Sequence, residues 1–124
     1  MIFKQVFDQK SSTYTYLIAS STGREALIID PVLENVEDYI KLLSELDLRL
    51  VKVIDTHIHA DHVTGAGKLR DKTKCVTIMG DHTPADAVEI KVKDEEVIKL
   101  DELNIRALYT PGHTSDSFSF LMDN

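Results

Sequence analysis

Four side chains able to bind a metal crowd into six positions of this chain: His57, His59, Asp61 and His62, in the run Thr56-His57-Ile58-His59-Ala60-Asp61-His62. Packing alone does not explain such a density. Histidine and aspartate supply the nitrogen and oxygen donors that suit Zn(II) or non-haem Fe(II). In an extended segment residues i and i+2 point the same way, so His57 and His59 share one side while Asp61 and His62 serve a neighbouring position. The flanks add a second constraint. Val51-Lys52-Val53-Ile54 reads as a short buried strand two residues upstream, and Gly65 to Lys72 as the start of a helix downstream. A loop between a buried strand and a helix is a common ligand site in folds that mix the two.

The rest of the chain is read as the scaffold for that loop. Residues 2–7 and 13–19 are rich in β-branched and aromatic residues and predict two strands joined by a turn at Asp8 to Ser12. A second turn, Ser20 to Arg24, leaves Gly23 free to take a positive φ, and Ala26-Leu27-Ile28-Ile29 forms a third strand ended by Asp30-Pro31. These three read as an antiparallel meander. Val36, Tyr39, Ile40, Leu43 and Leu46 then form one apolar stripe at helical spacing, with Asn35 as the expected N-cap. Residues 75–79, 97–100, 105–109 and 117–121 predict further strands, and 81–96 carries no clear pattern. The order is β-rich, then α, β, α, then β-rich again, which predicts a mixed sheet with helices on one face.

Composition excludes several classes. With 14 Lys and Arg against 21 Asp and Glu the net charge is −7, which offers no basic footprint for nucleic acid. No apolar run approaches the ~20 residues of a membrane helix, so no membrane partner is expected. Met1 to Phe7 reads as a strand rather than a signal peptide. Cys75 is the single cysteine, so no intrachain disulfide forms, and a reducing, cytoplasmic setting is expected.

Outside the cluster, His113 stands in Thr110-Pro111-Gly112-His113-Thr114, a tight turn able to aim its ring into a site. His82, in Gly80-Asp81-His82-Thr83-Pro84, reads as a surface residue, and Cys75 as a half-buried small hydrophobe. Tyr14 and Tyr16 read as sheet-packing side chains. Asp30 is either a turn residue or a carboxylate that orients a ligand histidine.

His57-Ile58-His59-Ala60-Asp61-His62 resembles the HxHxDH signature of the metallo-β-lactamase superfamily. Thr110 to Thr114 is similar to that superfamily's next ligand loop, and Ile29-Asp30-Pro31 to its early strand-end motif. The resemblance implies an α+β fold, an αββα sandwich of two facing sheets with helices outside. Residues 1–124 correspond to its N-terminal half as one domain, ending before the Gly-Asp motif that supplies the third-ligand Asp. Asp116 and Asp123 match no ligand position of the family.

The continuation Ala60-Asp61-His62-Val63-Thr64-Gly65 resembles the persulfide dioxygenase branch. That branch oxidises glutathione persulfide with O2 to sulfite and glutathione, so Fe(II) is the favoured cofactor and a small thiol derivative the expected substrate. The resemblance implies iron on His57, His113 and a later Asp, with His59, Asp61 and His62 behind them. Asp61 is the member of the set expected to take part in catalysis. The alternative within the superfamily is a glyoxalase II-like thioester hydrolase with Zn(II): His57, His59 and His113 form one metal site, and Asp61 with His62 part of a second. A third reading, from another class, is a non-catalytic metal-binding or interaction fragment. A half-sandwich exposes the apolar face meant for the missing sheet, so a homo-oligomer is one expectation.

Overall fold

Alternation along the first strands sets up two cores at once. The computed structural model describes residues 1–20, 23–57, 64–83, 88–111 and 116–123. Strands β1 (Ile2–Asp8), β2 (Thr13–Ala19) and β3 (Glu25–Ile29) pair antiparallel in sequence order, the meander expected from their composition. Along β2 and β3, Leu17, Ala19, Ala26 and Ile28 face one cluster, while Ile18, Leu27 and Ile29 face another. Such strands are buried on both faces, so slipping the register by one residue would exchange the two sets.

After β3 the chain turns through a 3-10 turn (Leu33–Asn35) into α1 (Val36–Glu45), which crosses back to β4 (Arg49–Ile54) parallel to β3. Val36, Tyr39 and Leu43 are the buried residues of the helix, as the stripe requires. Its end is a Schellman motif: the Leu48 amide donates to Leu43 O at 2.9 Å and the Asp47 amide to Ser44 O at 3.1 Å, with Asp47 at φ 55°. Asn35 does not cap the helix with its side chain; the Nδ2 donates instead to Asp8 Oδ1 at 3.2 Å. The preceding 3-10 turn leaves Asn35 without the extended backbone that a capping side chain needs.

Helix α2 (Ala66–Thr73) makes the second crossover, to β5 (Val76–Gly80), and a short strand β6 (Ile90–Val92) pairs parallel beyond it. The sheet order is therefore β1-β2-β3-β4-β5-β6. In β4, Leu50 and Val53 lie three residues apart yet join the same cluster. A register shift makes this possible: Ala26 pairs with Leu50, but Leu27 pairs with Lys52, so Val51 is the extra residue of a bulge.

Strands β7 (Val97–Leu100), β8 (Leu103–Tyr109) and β9 (Phe118–Asp123) form a second, antiparallel sheet. Ile98, Leu100, Ile105, Ala107 and Phe118 pack onto Leu27, Ile29, Ile54 and Ile78 of the first sheet. The helix-side core holds Val36, Tyr39, Leu43, Leu69 and Cys75, the last fully rather than half buried. Helices, six-stranded sheet and three-stranded sheet thus lie in three layers. A reciprocal pair ties the sheets at the end away from the histidines: the Glu25 amide donates to Asp101 Oδ2 and the Asp101 amide to Glu25 Oε1. Gly23 does not take a positive φ; it stands beside Asp101, whose carboxylate a Cβ at that position would overlap. Among the described residues no helix is long and apolar enough to cross a membrane.

Candidate metal centre

The parallel strands β3, β4 and β5 all end at the same edge of the sheet. They deliver Asp30, then Asp55-Thr56-His57, then Asp81-His82. This is the carboxyl edge, where ligands bind in open sheets of this kind. His57 is described; His59, Asp61, His62 and His113 lie outside the described residues. Among the described residues no three His, Cys, Asp or Glu side chains gather into a metal-binding group.

Asp30 carries the anchorage of the His57 loop. Its amide donates to Ile54 O at 2.7 Å, which joins β3 to β4 one step before the cluster. Its carboxylate accepts twice from Thr56, the amide to Oδ1 and the hydroxyl to Oδ2, each at 2.8 Å. The same hydroxyl lies 2.8 Å from His57 Nδ1. Of the two readings of Asp30, the carboxylate that reaches a histidine is therefore the one observed, with Thr56 between them. Asp30 sits at φ 55°, a left-handed backbone that costs a non-glycine residue roughly 1–2 kcal/mol.

A buried chain of hydroxyls holds Asp30 in that conformation. The Val32 amide donates to Tyr39 Oη at 3.0 Å, and Tyr39 Oη lies 3.1 Å from Thr15 Oγ1. Thr15 Oγ1 in turn donates to Asp30 O at 2.7 Å. Thr15 has one hydroxyl proton and gives it to that carbonyl, so Tyr39 donates to Thr15. Tyr39 and Thr15 are each 2% exposed, and in such a setting aligned hydrogen bonds reinforce one another.

The far end of the cluster returns to the same ledge. Thr64 Oγ1 donates to Asp55 Oδ2 at 3.1 Å, Thr64 bridges to Val32, and the Gly65 amide donates to Pro31 O at 2.8 Å. A Cβ on Gly65 would stand 2.8 Å from a Val36 methyl and 3.2 Å from Val32 O. The glycine of the Val63-Thr64-Gly65 run is thus needed for close approach between the start of α2 and the start of α1.

Phe118 links the two histidine motifs. Its amide donates to Thr56 O at 2.8 Å, and its ring fills the space over Gly80 left by the missing side chain. Thr110 N donates to Ser117 O at 3.0 Å and closes the loop that carries His113 in sequence. His82 is exposed, as expected of a surface residue, but it is not idle: its ring stacks on Tyr109 at 3.7 Å and 5°. Tyr16 packs on Phe3 as expected, yet it also lines an apolar cavity of about 320 Å³ between the sheets, with Asp30 and Thr56 at one end. Thr56 and Phe118 were not assigned a role by sequence reasoning. The threonine directly before His57 was the available signal for the first; nothing local marked the second.

The fit of a metal rests on donor chemistry. His57 has its Nδ1 engaged by a hydroxyl that a carboxylate holds, the outer arrangement typical of metal-ligating histidines. The model of the metallo-β-lactamase superfamily matches residues 9–124. The chain belongs to that superfamily, and the layered sheets described above are its fold. It is 36% identical over 125 residues to the mitochondrial persulfide dioxygenase ETHE1 of Bos taurus, an alignment that covers 100% of this chain and 49% of that protein. It is also 36% identical over 109 residues to a probable hydroxyacylglutathione hydrolase of Schizosaccharomyces pombe, covering 86% of this chain and 42% of the relative. The crystal structure of ETHE1 from Myxococcus xanthus superimposes with a TM-score of 0.94 at 44% identity, over 98% of this chain and 54% of that one. The chain spans about half the length of the curated relatives it matches.

Proposed function

We propose that residues 1–124 supply the histidine-bearing part of a persulfide dioxygenase-like site, with His57 and His113 as iron ligands and a carboxylate from elsewhere in the protein as the third. His59, Asp61 and His62 lie behind them, with Asp61 the further participant in catalysis. The observation that carries this reading is the Asp30-Thr56-His57 chain of hydrogen bonds at the carboxyl edge, on a sequence similar to persulfide dioxygenases along its whole length. Fe(II), when bound, supplies the redox chemistry by which O2 oxidises a persulfide sulfur. The balance is one glutathione persulfide, one O2 and one water to one glutathione and one sulfurous acid. This chain's own residues orient the donors: Asp30 and Thr56 hold the His57 ring, and the Phe118 amide, donating to Thr56 O, ties β9 to the strand end that carries His57. A reducing compartment such as the cytoplasm suits both the thiol substrate and the lone buried Cys75.

The test uses the full-length natural protein that contains this chain, loaded anaerobically with Fe(II). The expected result is one iron per chain, O2 uptake on glutathione persulfide and sulfite as product, with the activity lost in His57→Ala. Iron bound without sulfite formation overturns it. The similarity to a hydroxyacylglutathione hydrolase favours a second reading, a di-zinc thioester hydrolase. Two zinc ions per chain and turnover of S-lactoylglutathione would select it. A protein that takes up neither metal would leave the interaction-fragment reading.

A further inference from the structure

Three rings from three elements meet at the carboxyl edge. His82 follows the end of β5, Tyr109 ends β8, and Phe118 opens β9. The His82 and Tyr109 rings lie face to face, with centroids 3.7 Å apart and planes 5° from parallel. Tyr109 tilts against Phe118 at 5.4 Å, and His82 against Phe118 at 6.1 Å. Phe118 is buried, whereas the His82 side chain is 47% exposed. The cluster therefore grades from core to solvent, with a polar ring at its wet end. Aromatic pairs at such separations stabilise beyond the area they bury.

Backbone bonds fix the base of each ring. The Asp81 amide donates to Val92 O at 2.7 Å and the Thr83 amide to Gly80 O at 3.2 Å, so His82 stands on a turn pinned on both sides. The Tyr109 amide donates to Asp94 Oδ1 at 2.8 Å. Next to Tyr109, Thr110 is tied to β9 twice: its amide donates to Ser117 O at 3.0 Å, and its hydroxyl lies 2.7 Å from Ser119 Oγ. The Phe118 amide donates to Thr56 O at 2.8 Å. Tyr109 and Phe118 thus flank the segment that carries His113 in sequence, and Phe118 also holds the strand end that carries His57. His82 comes from the six-stranded sheet and its two partners from the other, so the stack ties the sheets beside that backbone bond.

We infer that His82 is a positioning residue of the candidate metal centre: its ring, and not its nitrogens, clamps Tyr109 and Phe118, and through them holds the Thr110–Ser117 and Phe118–Thr56 bonds. The clamp follows from the ring geometry alone; its consequence for a metal rests on the reading proposed above. The role needs a flat ring. Phenylalanine should therefore replace His82, and alanine should not. A role as ligand or hydrogen-bonding group requires another outcome, with phenylalanine failing as badly as alanine.

Amide hydrogen exchange, read by NMR on the metal-free full-length natural protein, measures local opening at each bond. His82→Ala should speed exchange at the Thr110 and Phe118 amides by roughly 2–12-fold, the loss of one aromatic pair. The Glu25 and Asp101 amides, which tie the sheets at the other end, should keep their wild-type rates. His82→Phe should restore Thr110 and Phe118. Zinc affinity, measured by competition with a chelating dye, should follow the same order. Unchanged exchange at Phe118 in His82→Ala overturns the inference. So does equal acceleration at both ends of the sheets, and so does a His82→Phe variant that behaves like His82→Ala. Wild type needs no variant: nuclear Overhauser contacts between the His82 and Tyr109 rings should be present, and their absence is equally fatal. Local exchange effects in a protein that takes up no metal leave the clamp standing and remove the proposed function. Zinc uptake with no effect of His82→Ala on exchange does the reverse.

Discussion

Gly80→Ala probes the joint between the two sheets. Gly80 ends β5 and its backbone has no positive φ, so the residue is needed for space and not for conformation. A Cβ there would fall inside the ring of Phe118, far closer than the 3.4–4 Å of ordinary contact. Phe118 is 2% exposed, so the ring has no solvent to move into. Overpacking of this kind costs about 1–3 kcal/mol. At about 2.1 cal/mol/K per residue, unfolding 124 residues has an entropy near 0.26 kcal/mol/K, which converts that cost to a fall in Tm of roughly 4–12 °C. Displacing Phe118 also strains its amide bond to Thr56 O, so metal affinity should fall with stability. Differential scanning calorimetry and zinc titration read the two effects. Phe118→Ala alone should cost about 3–5 kcal/mol. The double variant should cost clearly less than the sum, because the new methyl then partly fills the cavity. A Gly80→Ala protein within 0.5 kcal/mol of wild type, or strict additivity in the double variant, refutes the reasoning.

Tyr39→Phe removes the hydroxyl that accepts from Val32 N and donates to Thr15; leaving that buried amide unpaired should cost about 1–3 kcal/mol in urea unfolding. The Ser11 hydroxyl, then the Ser11 amide and Asn35, hold the Asp8 carboxyl below its ordinary value. The folded pKa is the lower one, so the stabilisation is present above the unfolded value and is lost as pH falls through the folded value. The Tm gap between wild type and Asp8→Asn should therefore be open at neutral pH and close on acidification. Burial pushes the Cys75 thiol up, and the residue is 3% exposed. Native protein should react with Ellman's reagent far more slowly than guanidinium-unfolded protein, and equal rates would contradict that burial.

Local pattern carried the elements whose cause is local. The β-branched run of residues 13–19 is β2 to the residue, and the stripe at Val36, Tyr39 and Leu43 is the buried face of α1. Strand β6 escaped because it has only three residues, Ile90 and Lys91 exposed and Val92 buried, and it is made by pairing with β5 and not by its own sequence. The sheet order and the parallel sense of β3 to β6 belong to crossovers that no single segment encodes. Positive φ was expected at Gly23, but among the described residues it falls on six non-glycine residues, including Asp30, Asp47 and Asp101, whose neighbouring strands and turns hold them by hydrogen bonds. The histidine cluster announced itself through chemistry that packing does not explain. Thr56 and Phe118 did not, since their roles exist only after residues 30, 56, 80 and 118 have been brought together.

That meeting has a temporal side. The bond from the Phe118 amide to Thr56 O joins residues far apart in the chain, and it comes from the first residue of β9, the last strand. Loop closure over such a separation is slow, and it is rewarded only when both ends are already ordered. During synthesis, β1 to β5 and both helices can leave the ribosome and pair while the His57 loop still lacks this tether. The sequence separation of the bond makes this tether an expected late step, after the scaffold strands have paired. A metal ion offered before β9 has docked would meet a strand end without this tether; one offered afterwards would meet Thr56 held from both sheets.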